Sequence, residues 1–464
     1  LFRFVIVRIG EHEGEVLIKT HHLISDGWSL VALINKIAVA YLNLLEGNAP
    51  KMEISPSYRL HVEDEAKYLC SKMHDKDTDY WRETLRGAGA PVSLKEERSA
   101  DVSPVGHRMT FYLSEIMNHE LNAFCTAHRI APFAVFYMAV AIYLKRTKGI
   151  QRFCMGAPVH NRSSFTDRKT TGMFVSTLPF FSRIDESWSF EEFAGYLADD
   201  WLELLRHQKL SYAEIFAISK EENPSVHRLY HLVLSFHNSQ AYKNHNTSVE
   251  FSGQWHYSGY QAEHICIHLN NIEDEKRYSV NYDYLAQLFS RQEIENFHNY
   301  LMNILTEAFA WPNRPITQLS FLGAEEKERV LFRFNRTERY VPALSLGQKL
   351  EDVCRAVPGR AAVIERGRRF SYKTLWDYAC TVAGEIQSYK TGRESVAALV
   401  MPRSMLLMAA MAGCALCGMP WVILPQNCPP GRMREIFEDC KPAVVLASMS
   451  DLEKLGDLKN GTAC

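Results

Sequence analysis

The chain has no excess of charge of either sign. Its 52 Lys and Arg stand against 54 Asp and Glu, a net of −2 over 464 residues. That balance removes the electrostatic grounds for a nucleic-acid partner or an anionic membrane surface. A secretory start is also missing, because Leu1-Phe2-Arg3-Phe4 reads as a strand and not as a charged stretch before an apolar core. No Met stands at position 1, and the chain is expected to be a piece of a longer protein. The 11 cysteines form no framework, so buried free thiols in a reducing, cytoplasmic setting are expected. The pair Cys414 and Cys417 has Cys-x-x-Cys spacing but no second pair and no basic neighbour, and reads as two small residues on a buried helix. The uncharged run from Met405 to Leu424 is long enough to span a bilayer. Gly413, Gly418 and Pro420 interrupt it, and Trp421-Val422-Ile423-Leu424 is strand-like, so a buried helix, a glycine turn and a buried strand are expected there. Repeats, low-complexity tracts and zinc-like ligand spacings are absent as well.

What is present is a soluble globular balance, 47% hydrophobic and 23% charged, in a chain long enough for two or more units. Two apolar strand-like runs, Phe2 to Val7 and Glu15 to Thr20, open the chain around a polar turn. A helix follows from Leu30 to Leu45 and is closed by Gly47, Asn48 and Pro50. One charged helical stretch is expected over Ser57 to Leu85, then a strand over Arg108 to Leu113 and helices over Ser114 to His128 and Pro132 to Lys145. The strand Phe153 to Val159 leads into a polar loop, His160 to Thr171, and a helix near Arg291 to Phe309 ends the first unit. Mixed strands and helices of this kind make an α/β or α+β unit. Pro312, Pro315, Gly323 and Pro342 mark residues 312–345 as a linker, and a second α/β unit is expected over 346–464.

The informative motif is His21-His22-Leu23-Ile24-Ser25-Asp26-Gly27, at the end of a strand and before a helix. A strand end holds a side chain rigidly at a cleft, and imidazole is the side chain whose charge changes near neutral pH. Adjacent residues of an extended segment face opposite ways, so His22 is expected to face a channel and His21 to brace the backbone and point inward. Asp26 is placed to hold the loop, by an ion pair or as the helix N-cap. Gly27 allows close approach of backbone and substrate. From local chemistry alone the two His also fit ordinary core or surface positions; no third ligand makes them a metal site.

His-His-Leu-Ile-Ser-Asp-Gly-Trp-Ser, residues 21–29, resembles the signature of nonribosomal peptide synthetase condensation domains. Further segments agree in order: Tyr58 to Glu65 with Tyr80-Trp81; Gly156 to Arg162 with Gly172 to Pro179; His207-Gln208 with Tyr212; and Arg228 to Asn238 as the last core strand. Ser176 stands where the family usually has Asn, and Val226-His227 where an Arg-Asp pair is common. The two earliest family motifs are not in the chain. From about residue 320 the chain resembles the start of an adenylation domain, through Phe370 to Leu375 and Gly413 to Pro425, with Gln426 in place of the usual Asp.

The resemblance implies a two-lobed, chloramphenicol acetyltransferase-like α/β condensation fold over residues 1–311, lacking its N-terminal part, a linker over 312–345, and an incomplete α/β adenylation region over 346–464. It implies amide formation between a donor aminoacyl or peptidyl thioester and an acceptor aminoacyl thioester, with catalytic positions His22, His21, Asp26 and Gly27. Arg162, Ser235 and Asn238 are the implied supporting residues, with Arg162 the expected partner of Asp26. No cofactor is expected on this piece. The substrates would ride on the phosphopantetheine of carrier domains, and ATP and magnesium would belong to the remainder of the adenylation domain. The implied partners are an upstream donor carrier domain, a downstream acceptor carrier domain and the rest of the adenylation domain, with no nucleic acid and no membrane. An epimerising relative would carry Trp after the Ser, whereas Trp28 precedes Ser29; a heterocyclising one would carry Asp at His21. Taken alone, the piece is expected to expose apolar surface and to be inactive.

Overall fold

Contacts divide the chain into two units, Leu1–Arg336 and Thr337–Cys464. The structure is a computed structural model and describes residues 1–50, 54–88, 91–95, 102–237, 249–272, 277–392, 394–425 and 427–454. Asn238 and Gln426 lie outside the described residues.

The first unit opens with a hairpin of β1 (Phe2–Arg8) and β2 (Gly14–Thr20), paired antiparallel from Phe2↔Thr20 to Arg8↔Gly14. Both faces of this hairpin reach solvent: Phe2, Phe4, Ile6 and Val16 of one face and Val7 and Leu17 of the other are exposed. Helix α1 (Gly27–Leu45) follows. Its apolar residues are spaced as the sequence suggests, but only Ser29, Ala38 and Leu42 are buried. By length and composition α1 could cross a membrane, whereas the helix within Met405 to Leu424 has only 13 residues. The charged stretch expected as one helix is two, α2 (Arg59–Leu69) and α3 (Lys72–Leu85). The break is chemical: the Ser71 hydroxyl accepts the His74 amide and starts a new helix.

The centre of this unit is a six-stranded mixed sheet. It is built from β3 (Gly106–Tyr112), β4 (Arg152–Val159), β5 (Ser176–Arg183), β6 (Leu232–His237), β7 (Ile265–Ile272) and β8 (Arg277–Leu285), in the order β3-β8-β7-β6-β4-β5. The β4–β6 and β6–β7 pairs are parallel and the others antiparallel. The helices α4 (Glu115–His128), α5 (Pro132–Lys148), α6 (Phe165–Lys169), α7 (Phe190–Arg206), α8 (Tyr212–Glu222), α9 (Arg291–Ala310) and α10 (Ala324–Glu328) accompany it. Helix α5 is apolar all round because it is buried all round; Val135 to Ile142 are without solvent contact. Inside it, the Tyr137 hydroxyl donates to the Phe180 carbonyl at 2.7 Å, so the one polar atom of that ring is satisfied. The stretch 312–345 carries a 3-10 turn at Ile316–Gln318, α10 and a π-turn at Arg329–Arg333.

The second unit holds α11 (Leu346–Ala356), a hairpin of β9 (Ala361–Glu365) and β10 (Arg368–Ser371), and α12 (Tyr372–Ile386). A parallel sheet in the order β12-β11-β13 completes it, from β11 (Ala397–Val400), β12 (Trp421–Leu424) and β13 (Val444–Ala447), with α13 (Met405–Cys417), α14 (Pro430–Cys440) and α15 (Met449–Lys454). The uncharged run is therefore a buried helix, a left-handed glycine cap at Gly418 (φ 61°) and a strand. Gly413 lets α13 approach α12: a Cβ there would stand 2.6 Å from Val382.

Candidate functional site

The signature segment does not continue as a strand. After Thr20 the chain turns, with the Ile24 amide donating to the His21 carbonyl at 3.1 Å. Strand alternation therefore stops before His22, and the expectation that His21 points into the protein is not met. Both His21 and His22 are exposed. The hairpin that ends at Thr20 has no covered face toward which His21 could turn. His21 Nδ1 instead accepts the Leu23 amide at 3.1 Å and braces the turn locally.

The same turn carries Asp26 into the interior, where its side chain has no solvent contact. Asp26 Oδ1 accepts the Ser29 amide at 2.8 Å and so caps α1. Oδ2 accepts the Phe174 amide at 3.1 Å. Arg162 Nη2 lies 3.0 Å from both carboxylate oxygens and 2.9 Å from Ser29 Oγ. N-cap and ion pair are thus the same carboxylate. Arg162 reaches it because Asn161, at φ 49°, reverses the chain just after β4. Arg162 Nη1 donates to the Thr170 and Asp167 carbonyls, and the guanidinium stacks 4.0 Å from the Phe174 ring centre. Ser29 Oγ donates to the Gly172 carbonyl at 2.9 Å and accepts its amide at 3.1 Å. Burial pushes the Asp26 carboxyl up, but the Ser29 and Phe174 hydrogen bonds and the Arg162 charge outweigh it and hold the group below its ordinary 3.8.

The glycine-rich segment is held from its other side by Tyr58. Its hydroxyl donates to the Met173 carbonyl at 2.5 Å, and its ring lies where a Cβ on Gly172 would stand, 2.1 Å away. Gly27 begins α1 with open space around it: a Cβ there would meet nothing within 4 Å. The Trp28 indole donates to the Arg168 carbonyl at 3.0 Å and stands edge-on to His160, ring centres 5.8 Å apart. His160 keeps solvent access, yet surrounding protein desolvates the ring enough to lower its pKa, with Asp26 opposing and Arg162 reinforcing that shift.

Ser235 belongs to a different network, on the sheet. Its Oγ lies 2.6 Å from His268 Nδ1 and 3.0 Å from His237 Nε2. His268 Nε2 lies 3.1 Å from Asp283 Oδ2, and Arg108 grips Asp283 through Nε at 2.6 Å and Nη2 at 2.7 Å. These residues come from β6, β7, β8 and β3, with Ser235 opposite His268 and Arg108 opposite Asp283 in register. Of this set the sequence singles out only Ser235. The signal that could have found the rest is Asp283, the one carboxylate of β8, inside Tyr-Asp-Tyr, which needs a partner when buried. Among the described residues no three His, Cys, Asp or Glu side chains are grouped to hold a metal.

Residues 1–331 match the model of the condensation domain family, and residues 350–463 match that of AMP-binding enzymes. The chain is 29% identical over 447 residues to the first surfactin synthase chain of Bacillus subtilis, covering 96% of itself and 12% of that protein. It is 27% identical over 449 residues to a plipastatin synthase of the same organism, covering 96% of itself and 17% of that relative. Among solved structures, a holo four-domain nonribosomal peptide synthetase bound to AMP and glycine superposes with a TM-score of 0.76 at 20% identity, over 100% of this chain and 36% of that one. The first condensation domain of the calcium-dependent antibiotic synthetase, in complex with a substrate analogue, superposes with a TM-score of 0.59 at 20% identity, over 70% of each chain.

Proposed function

This chain belongs to the condensation domain family, and from that premise we propose that its first unit joins two carrier-bound substrates through an amide bond. The donor is an aminoacyl or peptidyl thioester and the acceptor an aminoacyl thioester, each on the phosphopantetheine of its own carrier domain. The acceptor amine attacks the donor carbonyl, a tetrahedral centre forms, and the C–S bond breaks to release the donor carrier's thiol. His22 meets the reacting amine and accepts one of its N–H bonds. His21 braces the turn that presents His22, and Gly27 leaves room for the substrate. Asp26 and Arg162 work one step back, by fixing the loop. Positioning carries most of the rate in such a step, because a neutral amine is already a good nucleophile.

One observation supports this reading above the others. The signature loop is locked by a fully buried carboxylate–guanidinium pair while the histidine it carries stays exposed. Rigid support beneath an accessible imidazole is the arrangement that acid–base and positioning chemistry requires. We further propose that residues 350–463 continue into an adenylation domain, where ATP and magnesium would act. The test is a condensation assay on the intact synthetase module, with donor and acceptor carriers separately loaded. Mass measurement of the acceptor carrier should show the joined product, and an acceptor that stays unextended while the donor is present and loaded would refute the reading.

A further inference from the structure

The network on the sheet face has a direction. An ionised carboxylate only accepts, so His268 Nε2 donates to Asp283. Arg108 already meets the Asp283 carboxylate with two short hydrogen bonds. A neutral His268 with its proton on Nε2 has a bare Nδ1, which accepts the Ser235 hydroxyl across 2.6 Å. That uses the one hydroxyl proton, so Ser235 Oγ must accept from His237 Nε2 across 3.0 Å. His237 is thereby fixed with its proton on Nε2 and a lone pair on Nδ1. Ser235 itself is 3% exposed, so its hydroxyl is closed to a substrate carbonyl.

His237 keeps solvent access at the end of β6, with its ring centre 5.6 Å from that of His268 on β7. His160 connects this face to the signature loop: it follows β4, which pairs in parallel with β6 at Gly156↔Val233, and its ring centre stands 5.8 Å from that of Trp28. We propose that His237 is a second hydrogen-bond acceptor for the acceptor amine, its Nδ1 lone pair presented by the Arg108–Asp283–His268–Ser235 relay. This rests on the amide-forming reading above. An amine has two N–H bonds; with one held by His22 and the other by His237, its lone pair is left to aim at the thioester carbonyl.

A bound acceptor, and not a proton-taking base, is the role the surroundings allow. Desolvation by surrounding protein is the largest cause that pushes His237 down to about 4, and the Arg108 charge acts in the same sense. An imidazole with that pKa does not take a proton from an ammonium group near neutral pH, but it offers an uncharged acceptor there. No bond to His237 forms or breaks. The ammonium proton leaves to water before attack; of the two amine protons, one stays on the amide nitrogen and the other passes to the departing thiolate.

Two measurements test this. In the intact module, His237→Gln, whose carbonyl oxygen can still accept, should keep turnover within about threefold of wild type. His237→Leu should raise KM for the acceptor carrier and lower turnover by about tenfold or more, leaving KM for the donor carrier unchanged. Separately, nitrogen NMR of histidine-labelled protein should show His237 as the Nε2–H form, and Ser235→Ala should release that preference. Equal turnover of the Leu and wild-type proteins, or His237 protonated on Nδ1, would overturn the proposal. If the wild-type module makes no amide, the amide reading fails by itself, and the NMR result still decides whether the relay fixes His237.

Discussion

Replacing Arg162 with Met should loosen the signature loop that it holds from outside. The substitution strands the Asp26 carboxylate, at 0% side-chain exposure, with hydrogen bonds from Ser29 and the Phe174 amide but no opposite charge beside it. Stranding one member of a buried pair costs about 3–5 kcal/mol, against ~5–15 kcal/mol for a whole domain. Asp26→Leu should cost a similar amount, including about 1 kcal/mol for the lost helix cap. The double variant Asp26→Leu/Arg162→Met removes both charges and should cost clearly less than the sum of the two. Hydrogen exchange at the Ser29 and Phe174 amides is the direct readout, because both donate to Asp26 in the intact network. A local loss of about 3 kcal/mol speeds exchange by about a hundredfold. The pair is enclosed, so the effect should change little with salt. Exchange within about threefold of wild type in Arg162→Met, or additive single and double effects, would refute the reasoning.

Acid should act through the same carboxylate. The folded Asp26 lies below its ordinary 3.8, so its stabilisation is complete above that value and is lost as pH falls through the lower folded value. Asp26→Asn should flatten the acid limb of loop stability measured by exchange below about pH 4. Gly172→Ala places a Cβ 2.1 Å from the Tyr58 ring and should displace that ring, with a stability loss of about 1–3 kcal/mol in denaturant unfolding of the first unit. Asp77 is fully buried and accepts from the Tyr68 hydroxyl at 2.7 Å, with His207 Nδ1 at 2.8 Å, so Asp77→Ala should cost about 2–3 kcal/mol in the same measurement. Burial pushes the Cys414 thiol up to about 11, so an alkylating reagent at pH 8 should label exposed Cys70 far faster than Cys414.

Much of the fold is legible in the sequence where one physical signal rules. The apolar helix after Pro132, the strand before His160, and the helix–glycine–strand order of Met405 to Leu424 follow from periodicity, length and glycine. The Asp26–Arg162 pair is legible because a carboxylate on a partly buried loop needs a partner and the motif order supplies one. Alternation misleads at His21 because it does not extend past the strand, where the Ile24 to His21 hydrogen bond turns the chain. The stretch Ser57 to Leu85 reads as one helix because the cap at Ser71 is hidden inside a uniformly charged run. The polar loop after His160 likewise hides α6, which Ser164 and Asp167 close with a reciprocal capping box. The relay around His268 is invisible for another reason: Arg108, Ser235, His268 and Asp283 are far apart in sequence and meet only through sheet register.

The central claim is that His22 serves the amide-forming step while the buried pair behind it serves only the loop. It is tested most directly by His22→Ala in the intact module, with acceptor-carrier product followed by mass and loop exchange followed at Ser29 and Phe174. Product formation should fall by about a hundredfold or more while exchange at both amides stays at the wild-type rate. Product formed at the wild-type rate by His22→Ala would contradict the account.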